Sequence, residues 1–109
     1  MSVETLYWFL FLVRPTSEHV EYSRIHDAYV HAWASPSDPV IAEHLVRDVI
    51  REQKWQILRL QDWSVVPRQK YRNMPGHLQH FDEAHARGYS LEFYCWPLEN
   101  GLHHLQQAV

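Results

Sequence analysis

The chain of 109 residues is short of cysteine, glycine and positive charge, and each shortage excludes a class of protein. Its single cysteine, Cys95, excludes a disulfide within this sequence, although disulfides are the usual reinforcement of small secreted domains. Three Gly and six Pro exclude collagen-like and low-complexity sequences. Ten Lys and Arg against thirteen Asp and Glu leave no basic surplus for a phosphate backbone. We therefore expect a cytoplasmic protein that does not bind nucleic acid.

The sequence also lacks a run long enough to cross a membrane. Its most apolar stretch, Leu6 to Val13, has about eight residues, whereas a helical span needs about 20. The basic segment and cleavage site of a signal peptide are missing as well. Because 46% of the residues are hydrophobic, the chain can still form a core, and its length suits a single domain over residues 1–109. We expect a soluble domain without a membrane partner.

Known catalytic motifs are missing too, including the P-loop, the nucleotide-binding glycine pattern and zinc-type cysteine spacing. The best metal candidate is His77-x-x-His80-x4-His85 on a predicted helix. His80 and His85 would lie about 140° apart around that helix, so one ion cannot take all three. We predict no metal and no cofactor, and the sequence assigns no reaction, so an enzymatic role stays open and is not favoured.

Local patterns predict four strands and two helices. Asp38 can accept the free amides of a first helical turn, Pro39 suits the position after it, and Gly88 tolerates the left-handed conformation that ends a helix. Residues 14–27 are polar and aperiodic, which indicates a loop, and the tail, 98–109, could add a short helix. The predicted elements are a strand over 5–13, a strand over 28–34, a helix over 39–53, a strand over 55–66, a helix over 77–87 and a strand over 89–96.

The order β-β-α-β-α-β differs from the ferredoxin-like order β-α-β-β-α-β by the absence or displacement of the first helix. We predict an α+β two-layer sandwich, either ferredoxin-like or a variant of it. Its four-stranded mixed sheet would carry both helices on one face. The strands on either side of the first helix should run parallel, because a crossover of this kind joins parallel strands.

Strand alternation divides the side chains between the two faces of this sheet. Under the helices we expect small and apolar residues, namely Val30, Ala32, Ala34, Leu58, Leu60, Leu91, Phe93 and Cys95. The other face would be rich in aromatic side chains, which is unusual for a surface in water. Its predicted residues are Tyr29, His31, Trp33, Arg59, Gln61, Trp63, Glu92, Tyr94 and Trp96.

Three occupants can cover such a face: a second subunit, a small ligand, or the C-terminal tail. Aromatic residues and Arg are enriched at interface hot spots, so a homodimer is favoured. Two sheets that face each other can also enclose a ligand pocket. There His31, Arg59 and Glu92 would form either an acid–base and anion-binding set or an interface salt-bridge network. The nine His indicate either a pH sensor, since imidazole titrates at roughly pH 6.5, or a set of solvated surface imidazoles, which is the favoured interpretation.

Two segments carry a family resemblance: Tyr29-Val-His-Ala-Trp-Ala-Ser-Pro-Ser-Asp-Pro, continuing through Trp55-Gln-Ile-Leu-Arg-Leu, and Gly88-Tyr-Ser-Leu-Glu-Phe-Tyr-Cys-Trp-Pro. They resemble small uncharacterised bacterial ferredoxin-like proteins of the integron gene-cassette type. The resemblance covers about two-thirds of the chain, and its motifs are general strand–helix–strand features. It implies a fold and a dimer, and it brings no catalytic residues with it.

Overall fold

The computed structural model describes residues 5–97. It confirms the α+β class and the order β-β-α-β-α-β, with a sheet of four strands and two helices. The predicted tail helix over 98–109 lies outside the described residues. The elements are β1 (Thr5–Pro15), β2 (Ile25–Ala34), α1 (Pro39–Glu52), β3 (Trp55–Pro67), a short 3-10 helix (Arg68–Tyr71), α2 (Pro75–Arg87) and β4 (Tyr89–Pro97).

The strands lie side by side in the order β3-β1-β2-β4. Each neighbouring pair is antiparallel, so the predicted mixed sheet is wrong. β2 and β3 do run parallel to each other, because both are antiparallel to β1. β1 lies between them, however, and this separation is why the crossover through α1 produces no parallel ladder.

α1 begins where the sequence predicts and packs on one face of the sheet. The Asp38 carboxylate accepts hydrogen bonds from the amides of Val40 and Ile41 at 2.8 and 3.2 Å, and Pro39 opens the helix. The helix buries an apolar stripe against alternate residues of β1 and β2, a surface that we call the α1 face. The contacting residues are Ala42, Val46 and Ile50 from α1 and Phe9, Phe11, Val13, Ala28, Val30, Ala32 and Ala34 from the sheet.

α2 packs on the opposite face, which we call the α2 face, and so the expectation that both helices share one face is wrong. Phe81 and Ala84 of α2 are buried with Leu6, Trp33 and Val66, which alternate with the residues beneath α1. The physical reason lies in β1, which is apolar on both faces and therefore offers α2 a second hydrophobic surface. α2 also has to connect the two outer strands, β3 and β4, and either face allows that path.

β3 departs from regular alternation at two positions. Its pairing with β1 shifts between Leu10 and Phe11 and again between Leu12 and Val13. Arg59 consequently pairs with Leu12 on the α2 face, while Trp63 pairs with Phe9 on the α1 face. The shifts leave Leu58 and Gln61 without a partner in this register. The predicted place of Trp63 beside Trp33 is therefore wrong, because each irregularity exchanges the faces of the residues that follow.

Candidate functional site

The structure places most of the predicted aromatic face on the α2 face. Tyr29, His31 and Trp33 of β2 lie there, with Arg59 of β3 and with Glu92, Tyr94 and Trp96 of β4. α2 covers the Trp33 end of this surface. Further along lie five half-buried side chains that we call the open strip: Leu10, Leu12, Tyr29, Tyr94 and Trp96. At the border is a second group, the His–Glu cluster, made of His31, His77, His80 and Glu92.

Trp33 is the centre of the covered end, and its side chain is 0% exposed. Its indole Nε1 donates a hydrogen bond to the Tyr71 hydroxyl at 3.1 Å. The His80 ring stacks on the indole with centroids 5.2 Å apart and planes 6° apart, and the His77 ring lies 5.6 Å away. Two imidazoles from α2 are thus held against one buried indole.

In the His–Glu cluster, the Glu92 carboxylate lies between the two imidazoles of α2. Its Oε1 is 3.5 Å from His77 Nε2, and its Oε2 is 3.9 Å from His80 Nε2. Oε1 is buried and accepts no hydrogen bond from the described part of the chain. A buried carboxylate oxygen without a donor is costly, so this atom is an electrostatically incomplete point of the cluster.

A hydrogen-bonded chain fixes the proton of His80. The Ser90 hydroxyl donates to Glu83 Oε1 at 2.7 Å and lies 2.7 Å from His80 Nδ1. Because the hydroxyl proton is given to Glu83, Nδ1 of His80 has to be the donor to Ser90. His80 Nε2, which faces Glu92, therefore carries a proton only when the ring is an imidazolium.

His31 is held in the neutral state by a different contact. Trp8 Nε1 donates to His31 Nδ1 at 3.0 Å, so Nδ1 must be unprotonated and the ring proton lies on Nε2. Burial lowers the pKa of His31, and the nearby His77 and His80 lower it further, whereas Glu92 acts in the opposite direction. The ring contacts Tyr94 at 5.2 Å and His77 at 5.7 Å, which joins the His–Glu cluster to the open strip.

The predicted trio of His31, Arg59 and Glu92 is only partly assembled. His31 and Glu92 are direct cross-strand partners. Arg59 lies on the far outer strand, with β1 between it and β2, and its guanidinium contacts the side chain of Gln61. Sequence reasoning missed Trp8 and Ser90, and it grouped His77 and His80 only as candidate metal ligands. The spacing His77-x-x-His80 was a signal for them, but its partner Glu92 becomes evident only once α2 is placed on this face.

The open strip has aromatic side chains at its centre and charges of both signs at its margin. Tyr29 and Trp96 meet edge to face at 4.8 Å. At the end of the strip, Arg14 Nε donates to Asp27 Oδ1 at 2.8 Å. Along β3 the margin is formed by Arg59 and Asp62, which are exposed and pair with Leu12 and Leu10. Burial raises the pKa of Tyr94, and the negative charge of Glu92 raises it further.

Two surface cavities of about 380 Å³ each lie away from the His–Glu cluster. One is bounded by Arg14, Tyr22 and His26, the other by Thr16, Lys54 and Trp55. Within residues 5–97, no three His, Cys, Asp or Glu side chains are arranged to hold a metal ion. Neither helix of that part of the chain has the length and apolar character needed to cross a membrane.

No protein-family model matches this chain, and comparison with curated proteins and with solved structures finds no match either.

Proposed function

We propose that the protein is a homodimeric binding module, in which a second copy of the chain packs on the open strip. The observation that carries this proposal is the strip itself: three aromatic and two leucine side chains form a continuous surface that α2 leaves uncovered. Apolar patches of this kind are rarely left in water. Tyr and Trp, which form the centre of the strip, are also residues that are enriched at binding hot spots.

The margin of the strip favours a second copy over other partners. A two-fold interface brings the same patch of both subunits together, so residues of opposite charge have to lie within one patch. Arg59 and Asp62 are both exposed along β3, so each can face the oppositely charged residue of the second copy across the interface. A nucleic-acid partner would instead need a surplus of positive charge. The resemblance to small bacterial ferredoxin-like proteins supports the same proposal, and the single cysteine supports a cytoplasmic location.

Light scattering on the purified chain and on two matched variants tests this proposal. Leu12→Glu places a carboxylate in the middle of the strip, so we expect a monomer at micromolar concentrations. Val65→Glu makes the same kind of change on β3 but on the α1 face, where Val65 is 54% exposed, and it should remain a dimer. A monomeric wild-type protein would contradict the proposal and would leave the strip to the tail, 98–109, or to a small ligand.

A second candidate function is binding or conversion of a small ligand at the His–Glu cluster. The observation in its favour is the buried Glu92 Oε1 without a donor, beside an imidazole that is held neutral. Such a pair can exchange protons with a bound molecule. Tryptophan fluorescence in a small-molecule screen tests it, because His80 stacks on Trp33. A signal that His31→Ala abolishes would support the ligand site, and a screen without any response would count against it.

A further inference from the structure

We propose that protonation of His31 separates the two copies, so that pH regulates assembly at the open strip. The inference rests on the proposed dimer and adds a form of control to it. Its structural basis is the position of His31 between the His–Glu cluster and the strip. The ring is half-buried, touches Tyr94 of the strip at 5.2 Å and receives the Trp8 indole proton at 3.0 Å.

The Trp8 contact makes the charged form of His31 unfavourable. An imidazolium carries protons on both ring nitrogens, so its Nδ1–H would point at the Trp8 Nε1–H. The hydrogen bond would break, and one of the two donors would have to turn away. Trp8 and His31 lie on neighbouring strands, where Trp8 pairs with Trp33 and Leu10 with His31. A change of this ring therefore acts directly on the surface that contains Leu10.

The two imidazoles of α2 work in the same direction, and the Glu92 carboxylate opposes them. α2 contributes His77 and His80, and β4 contributes Glu92 and Tyr94, while β1 presents the uncharged Trp8. The Glu92 carboxylate is shared between His77 and His80, at 3.5 and 3.9 Å. Burial is the main cause that lowers the pKa of His31; His77 and His80 lower it further, and Glu92 raises it without reversing the net direction.

Dimerisation adds a further cost to the charged ring. A second copy on the strip would remove water from Tyr94 and from the imidazole beside it, and loss of water disfavours the charged form. The dimer would then bind fewer protons than two separate chains. Because the dimer would hold the pKa of His31 lower still than the separate chain does, dimerisation is favoured at neutral pH and weakened as pH falls through the already lowered His31 pKa of the separate chain.

The test compares the dimer dissociation constant at about pH 7.5 and about pH 5, the second value well below the ordinary imidazole pKa because that of His31 is lowered. In His31→Asn, the amide oxygen can accept the Trp8 indole proton, but the side chain cannot be protonated. His44→Asn is the matched control, because His44 is exposed on α1. For the wild type and His44→Asn we expect a dissociation constant at least about tenfold larger at the lower pH, a change of about 1.4 kcal/mol. His31→Asn should remain a dimer at both values.

Each outcome separates the two proposals. A wild type that is equally dimeric at both pH values overturns the inference and leaves the dimer intact, whereas a monomer at both values overturns both. Circular dichroism at the lower pH shows whether the chain is still folded. If His31→Asn fails to fold, the ¹⁵N shifts of the wild-type His31 ring replace it. They should show a bare Nδ1 in the dimer and protonation in step with dissociation, and protonation without dissociation would contradict the inference.

Discussion

The Nε1 of Trp33 donates to the hydroxyl of Tyr71 at 3.1 Å, and this buried hydrogen bond ties the centre of the sheet to the 3-10 helix that precedes α2. Both side chains are nearly inaccessible, Trp33 at 0% and Tyr71 at 3% exposure. Their rings also meet edge to face at 6.1 Å. Burial raises the pKa of Tyr71, so its hydroxyl stays protonated across the physiological range. The pair therefore fixes where α2 begins over the Trp33 end of the α2 face.

Tyr71→Phe removes the acceptor for the Trp33 indole and leaves a buried N–H without a partner. We expect the free energy of unfolding to fall by about 1–3 kcal/mol, the usual cost of an unsatisfied buried polar group. Urea unfolding followed by circular dichroism measures it. Tyr22→Phe is the control, because Tyr22 is 51% exposed, and it should stay within about 0.5 kcal/mol of the wild type. Equal stability of the two variants would show that the Trp33 hydrogen bond contributes nothing.

The elements whose local signals are strong were predictable from the sequence. Asp38 and Pro39 begin α1 as expected, because capping depends on residues within one helical turn. The two faces of β2 could be assigned because its pairing with β4 is regular from Asp27 to Ala34. Alternation then places His31 and Glu92 on the same face of the sheet, whereas their direct pairing depends on the register of β2 with β4.

What could not be predicted depends on contacts that are distant in sequence. Trp63 changes face because β3 is irregular at two points, and no Gly or Pro marks them. α2 has an apolar stripe that fits either side of a sheet whose central strand presents Trp8 on one face and Phe9 on the other. Since the His–Glu cluster exists only when α2 lies on the Trp8 side, its members could not be grouped before the fold was known.

Ser90→Ala tests the electrostatic role of the hydrogen-bonded chain beneath α2. Ser90 is 3% exposed, and its donation to Glu83 is the main reason why the pKa of that carboxyl is lowered from 4.5. A lowered carboxyl pKa stabilises the fold above the ordinary value, and this contribution is lost as pH falls through the folded-state pKa.

We therefore expect Ser90→Ala to lower the free energy of unfolding near neutral pH and to flatten its decrease below the ordinary carboxyl pKa of Glu83, 4.5. Urea unfolding at a series of pH values measures both effects. Ser17→Ala, in an exposed part of the loop between β1 and β2, should keep the wild-type profile. If the free energy of unfolding of Ser90→Ala changes with pH in parallel with that of the wild type, the pKa of Glu83 does not depend on the Ser90 hydroxyl.

Cys95 should react slowly with thiol reagents. It pairs with Ala28 on the α1 face and is half-buried. Burial raises the pKa of its thiol, and the negative charge of Glu21 raises it further. Since the thiolate is the reactive species, we expect alkylation by iodoacetamide near neutral pH to be about tenfold slower than for an unfolded chain, or slower still.

Rates of the folded protein and of the same protein in concentrated urea measure this difference directly. Glu21→Gln should increase the folded-state rate modestly, because it removes the smaller of the two causes and leaves burial unchanged. Glu52→Gln, an exposed change in α1, should leave the rate unaltered. If folded and unfolded chains react equally fast, Cys95 is an accessible nucleophile. In that case the α1 face near Ala28 has to open to solvent far more readily than its packing indicates.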